Sequence, residues 1–120
     1  MYKAYEALPE ELRNKVGRLE AIHDASHNST GELRKGFQPV DDVSKIYGAK
    51  HPMLRTHPET GRKGLYVNPA FTTHFEGWNA FESKPLLDYL YAHASRPEFT
   101  CRFEWKPGSV AFWDNRATWH

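Results

Sequence analysis

Short alternating apolar and polar runs, separated by turns rich in proline and glycine, predict a mainly β chain with flanking helices. Three observations carry this reading. Cys101, Phe103 and Trp105 alternate with Arg102 and Glu104, the period of a half-buried strand. Pro58-Glu59-Thr60-Gly61 stands between two short apolar segments, a hairpin turn in which glycine supplies the positive φ. Leu86, Leu87, Leu90, Tyr91 and Ala94 recur at helical spacing instead, giving one apolar stripe on a helix.

In chain order, Leu8-Pro9-Glu10-Glu11 predicts a helix start, with proline in the first turn and acids at the positive end of the dipole. Leu12, Val16, Leu19 and Ile22 or His23 continue that helix until it fades near Asp24. Ser26 to Asp41 is polar and reads as a long loop of the kind often used as a lid or binding element. Val43 to Tyr47 gives a weak signal only. His51–Thr56 and Gly64–Asn68 are the two strands of the hairpin, and Pro69-Ala70-Phe71-Thr72-Thr73 is a loop or short edge strand. Ser83 is the predicted cap of the second helix, with Pro85 in its first turn, and Arg96-Pro97 stops it. Lys106-Pro107-Gly108-Ser109 is a tight turn. A final apolar strand, Val110-Ala111-Phe112-Trp113, leads into a turn at Asp114-Asn115-Arg116 and the closing Ala117-Thr118-Trp119-His120. Only about four strands are visible, where a closed sandwich uses about seven or eight.

With 120 residues there is room for one core. The 39% hydrophobic and 14% aromatic content suits a globular domain rather than a disordered one. Sixteen basic against 15 acidic residues leave no basic field for a nucleic-acid backbone. No run is long and apolar enough to span a bilayer, and Met1-Tyr2-Lys3-Ala4-Tyr5-Glu6 lacks a signal core. The expected location is the cytoplasm. The single Cys101 cannot form an internal disulfide, and Asn28-Ser29-Thr30 counts as a glycosylation acceptor only on a secretory route.

Seven histidines raise metal hypotheses. His23 and His27 at i and i+4 on a helix would share one face, as in zinc hydrolases, although Asp24 stands where those enzymes carry glutamate. A non-haem iron site needs two histidines and a carboxylate, and His57-Pro58-Glu59 and His74-Phe75-Glu76 both offer a His-x-Glu pair ahead of His120. The first lies in the hairpin turn, where side chains splay outward. The second would direct His74 and Glu76 to one side of a strand. No glycine-flanked serine elbow or phosphate loop is present, and Cys101 lies mid-strand, so nucleophilic catalysis has no support.

The stretch His51-Pro52-Met53-Leu54-Arg55-Thr56-His57-Pro58-Glu59-Thr60-Gly61-Arg62-Lys63, taken with Trp113-Asp114-Asn115-Arg116-Ala117-Thr118-Trp119-His120, resembles the taurine dioxygenase family. The likeness runs over nearly the whole chain. It includes Tyr5-Glu6-Ala7-Leu8, Phe71-Thr72-Thr73, the leucine-rich helix and Pro97-Glu98-Phe99. The resemblance implies a double-stranded β-helix, or jelly roll, here incomplete, with residues 1–120 as one partial TauD/TfdA-like domain. It implies Fe(II) and 2-oxoglutarate, and hydroxylation of a small anionic substrate such as taurine or another sulfonate, releasing sulfite, succinate and carbon dioxide.

Carried over residue by residue, the resemblance makes His120 the distal histidine ligand to the metal. Phe71 and Trp113 are the substrate-binding residues it implies, Phe71 lining the pocket and Trp113 on the strand leading to the ligand, close to the metal. Arg55, Arg62 and Arg116 occupy positions that shape turns, Arg116 as an ion-pair partner. The family's His-x-Asp pair lies upstream of the first residue, and the arginines that clamp 2-oxoglutarate and the sulfonate lie beyond the last. The chain alone is therefore expected to be inactive, and the full-length form homo-oligomeric. Two alternatives stand beside this reading. One is a non-catalytic β-rich binding or scaffold module, and the other a zinc hydrolase using His23 and His27.

Overall fold

A central strand, β1 (Glu20–Asp24), is paired on both sides. Its partners are β2 (Gly48–Pro52) and β5 (Thr72–Phe75), both antiparallel, in the order β2-β1-β5. A computed structural model describes residues 1–28, 32–41 and 48–120. The expectation for Val43–Tyr47 and most of the Asn28-Ser29-Thr30 acceptor lie outside the described residues. A second, two-stranded sheet joins β3 (Leu54–Thr56) to β4 (Lys63–Leu65), with Arg55 opposite Gly64. The helices are α1 (Tyr2–Glu6), α2 (Glu10–Val16) and α3 (Ala80–Ala94), followed by a single 3₁₀ turn at Pro97–Phe99.

The first helix signal was read too long. α2 ends at Val16, and Gly17 to Leu19 turn the chain through backbone bonds to Arg13, Lys15 and Val16. Glycine weakens helix continuation there, and the two ladders available to Glu20–Asp24 outweigh the helical spacing of Leu19 and Ile22. α1 was not predicted. It packs on α3, where buried His93 donates from Nε2 to the Ala4 carbonyl at 2.7 Å.

The hairpin turn forms as expected, but its strands are shorter: His51 and Pro52 belong to β2 in the other sheet, and Tyr66, Val67 and Asn68 lie outside any strand. Gly61 has φ +68° and donates its N–H to the His57 carbonyl at 2.9 Å, a conformation that L side chains rarely adopt. Gly48 has a different reason to be glycine. A Cβ there would lie 2.8 Å from the His23 carbonyl oxygen, against the β1 backbone.

α3 begins earlier than predicted. Asn79, not Ser83, is its cap: the Asn79 side chain accepts from the Glu82 N–H at 2.8 Å, and the Glu82 carboxylate accepts from the Asn79 N–H at 2.9 Å, a reciprocal capping box. Ser83 is buried inside the helix and its hydroxyl accepts from the Phe75 N–H at 3.0 Å, tying α3 to β5. The apolar stripe behaves as expected. Leu87, Leu90 and Ala94 join Ala4, Leu8, Val16, Ala21, Met53, Leu65, Val67 and Phe75 in one core, with Leu86 and Tyr91 packed at its edge.

Neither Cys101–Trp105 nor Val110–Trp113 forms a strand. The turn between them closes, with the Ser109 N–H donating to the Lys106 carbonyl at 2.9 Å, but its two limbs belong to neither sheet. Phe103 (54% exposed), Trp105 (67%) and Phe112 (97%) stand in solvent. Alternation requires a neighbouring strand to become a ladder, and among the described residues none lies alongside. Five strands and three helices are what these residues form.

Candidate functional site

The segment Asn68-Pro69-Ala70-Phe71 makes one wall of a cavity. The Asn68 side chain accepts from the Ala70 N–H at 2.7 Å, and the Asn68 N–H donates to the Thr72 hydroxyl at 2.9 Å. The Phe71 carbonyl then accepts from the Asp24 N–H at 2.7 Å. Two local bonds and one to β1 thus fix the backbone that carries Phe71, and its half-buried ring lines a cavity of about 580 Å³ shared with His23, Tyr66, Arg116, Thr118 and His120.

The opposite wall is the closing segment. Asp114 opens a turn in which the Ala117 N–H returns to its carbonyl at 3.1 Å. The Trp119 indole donates to the Val67 carbonyl at 2.7 Å. His120 is exposed at the cavity wall, with its ring 4.5 Å from that of Trp113. The ring nitrogens of His120 carry no protein hydrogen bond among the described residues. Trp113, expected as a substrate-binding residue, is 48% exposed and donates to Asn115 Oδ1 at 2.8 Å. It flanks His120 without lining the cavity.

Arg116 is an ion-pair partner, as expected. Its guanidinium grips Asp114 (Nη2 to Oδ2 2.7 Å, Nε to Oδ1 2.9 Å) and reaches Glu59 at 3.4 Å. With Arg116 and His57 donating to it, the Asp114 carboxyl is held well below the usual carboxylate range. His57 corrects an expectation. It does not splay into solvent but is buried, 7% exposed, and bonded to Asp114.

His23 and His27 share no helix face. His23 lies on β1, stacked on Tyr66 (5.2 Å) and edge-on to His51 (4.9 Å). Its Nε2 meets the Thr72 hydroxyl at 3.1 Å, and burial together with neighbouring His51 pulls its pKa down to about 4. His27 turns its Nδ1 toward Ser26 (2.9 Å) and Asp24 (3.1 Å). Strand geometry removes the shared face that the zinc reading needs. His74 is buried on β5 and bonded to the Thr73 hydroxyl at 2.8 Å, while Glu76 is exposed beyond the strand. Among the described residues no three His, Cys, Asp or Glu side chains could hold a metal ion together. On the cavity wall, the imidazole of His120 is left without a protein hydrogen bond among the described residues.

The model of the taurine catabolism dioxygenase TauD, TfdA family matches residues 1–120. The chain belongs to the TauD/TfdA family. It is 37% identical over 119 residues to the alpha-ketoglutarate-dependent dioxygenase cnsP of Penicillium expansum, spanning 98% of this chain and 32% of that protein. It is 34% identical over 124 residues to an alpha-ketoglutarate-dependent sulfate ester dioxygenase of Pseudomonas putida, spanning 98% of this chain and 40% of that protein. The crystal structure of a taurine dioxygenase from Burkholderia xenovorans superposes with a TM-score of 0.76 at 43% identity, covering 97% of this chain and 35% of that one. This TauD/TfdA chain thus spans between about a third and two fifths of the length of these relatives. Among its described residues no helix is long and apolar enough to cross a membrane.

Proposed function

We propose that residues 1–120 are one partial TauD/TfdA-type domain, the portion of an Fe(II)/2-oxoglutarate-dependent dioxygenase jelly roll that supplies the distal histidine ligand and one wall of the substrate pocket. The observation that carries this is the juxtaposition, in a chain matched end to end by the family, of an uncommitted His120 imidazole and the Phe71 ring on one cavity. In this reading His120 holds the iron through a neutral ring nitrogen. Phe71 would line the substrate pocket, and Trp113, its ring tilted against that of His120 at 4.5 Å, would orient the imidazole. Iron and 2-oxoglutarate, when bound, supply oxidative decarboxylation and hydroxylation.

The substrate class is a small anion such as taurine or another sulfonate: hydroxylation of the carbon beside the sulfonate would expel sulfite and leave an aldehyde, while 2-oxoglutarate and oxygen are consumed to give succinate and carbon dioxide. The names of the Burkholderia taurine dioxygenase and the Pseudomonas sulfate ester dioxygenase support that class. Arg116, the arginine on the cavity wall, is already neutralised by Asp114 and Glu59, so this chain offers the anion a shaped apolar wall rather than its counter-charge. The full-length protein is placed in the cytoplasm as a homo-oligomer.

One imidazole without a carboxylate partner does not assemble the metal site, so the chain alone is inactive. Anaerobic titration of the chain with Fe(II) and 2-oxoglutarate is expected to develop no visible charge-transfer band. A saturable band would overturn this and bring His74 and Glu76 back as ligands.

A further inference from the structure

The two stretches that stand out in the sequence, one around His57 and the other ending at His120, meet in space at a buried imidazole, His57, and at the longer ion pair of Arg116 with Glu59 (3.4 Å). Nδ1 of His57 accepts from the backbone N–H groups of Glu59 and Thr60, each at 3.2 Å. That fixes the tautomer: a nitrogen receiving protons carries none, so Nε2 is the N–H and donates to Asp114 Oδ2 at 2.9 Å. Asp114 in turn accepts from its own turn, from the Arg116 N–H at 2.8 Å and from the Arg116 guanidinium. The edge of the Tyr2 ring faces the imidazole, with centroids 6.4 Å apart, and the Arg62 guanidinium covers Tyr2 at 4.3 Å. The hairpin turn therefore grips one edge of the imidazole, at Nδ1, and the closing turn grips another, at Nε2.

We propose that His57 is a positioning residue: it fastens the turn at Asp114–Ala117 to the β3–β4 hairpin and thereby sets where His120 stands at the cavity. The fastening itself rests only on these bonds, whereas its value for metal binding rests on His120 being the ligand proposed above. His57 is not among the residues that line the cavity, so its effect runs through Asp114 directly and, by way of Glu59, through Arg116.

Two conservative variants separate the two grips. His57→Asn keeps an acceptor near Nδ1 for Glu59 and Thr60 but has no donor that reaches Asp114. His57→Gln keeps a donor near Nε2 and gives up the acceptor. In NMR of the full chain, His57→Asn is expected to speed amide exchange at Arg116 and Ala117 about tenfold, the loss of one bond to a charged group. It should also remove the cross-peaks between the Trp113 and His120 rings while leaving Glu59 and Thr60 protected. His57→Gln is expected to give the reverse pattern. Unchanged exchange at Arg116 and Ala117 in His57→Asn, or equal disturbance of that turn by both variants, would overturn the proposal. Should His57→Asn fail to fold, Asp114→Asn asks the same question from the other end. A closing turn as protected as the native one in that variant defeats the proposal, and a loosened turn on an intact hairpin supports it. The ligand reading is tested separately in a full-length chimera carrying residues 1–120, where a charge-transfer band with Fe(II) and 2-oxoglutarate that survives His120→Ala would remove it and leave the fastening measurement standing.

Discussion

His57 and Asp114 lie 57 residues apart in sequence and are joined by a 2.9 Å bond between Nε2 and Oδ2. Asp114 also opens the turn from which His120 follows, so this contact carries the hairpin's rigidity to the cavity wall. Its energetics are set by the carboxylate being charged, which makes acid the simplest probe.

The Asp114 carboxyl is depressed by Arg116 first and by His57 second. A carboxylate with a folded pKa below its unfolded value of about 3.9 stabilises the fold above that value and loses the contribution as pH falls further. Docking of the closing turn should therefore be intact at neutral pH and weaken progressively below about pH 4. Near-ultraviolet circular dichroism of Trp113 and Trp119 during acid titration measures it. In Asp114→Asn the acid-dependent part of that change should be absent.

His23 gives a second, higher window. Its pKa is lowered to about 4 by burial first and by His51 second, against about 6.5 in an unfolded chain. A depressed folded pKa means that the neutral form is favoured in the fold, so stability is full above about pH 6.5 and declines as pH falls toward 4. Urea melts at pH 7 and pH 4.5 should show this slope, and His23→Gln should flatten it. An equal slope in the variant would mean that another group titrates there.

Ser83 and Asn79 are separable by their roles. Asn79→Ala removes a helix cap, with an expected cost of about 1 kcal/mol. Ser83→Ala strands the buried Phe75 N–H and should cost about 1–3 kcal/mol. Chemical denaturation of both variants checks the order. A larger loss at Asn79 would return the structural weight to the helix terminus.

What could be read from residues alone was whatever depends on local spacing. The Pro58–Gly61 turn, the Leu87-Leu90-Ala94 stripe and the Asp114–Arg116 turn each declare themselves within a few positions. The limits appeared where pairing overrides period. Leu19 and Ile22 fit a helix by spacing, yet β1 gains two neighbours by being a strand. Phe103 and Trp105 fit a strand by alternation, yet no described segment pairs with them. The same gap hid the site's support. His57 reads as a turn residue and Asp114 as the start of another turn, and nothing in either stretch announces that one holds the other. Two histidines spaced four apart, His23 and His27, formed a tempting pair only while the intervening backbone was taken as helical.

The role of His120 as an iron ligand can be tested directly by segment exchange. The Burkholderia xenovorans taurine dioxygenase provides the host, since this chain covers 35% of it at 43% identity. Replacing the corresponding stretch of that enzyme with residues 1–120 and adding Fe(II) and 2-oxoglutarate without oxygen should produce a visible charge-transfer band. Changing His120 to Ala in the same chimera should abolish it with the fold intact. A band of undiminished intensity in the alanine variant would contradict the assignment of His120 to the metal.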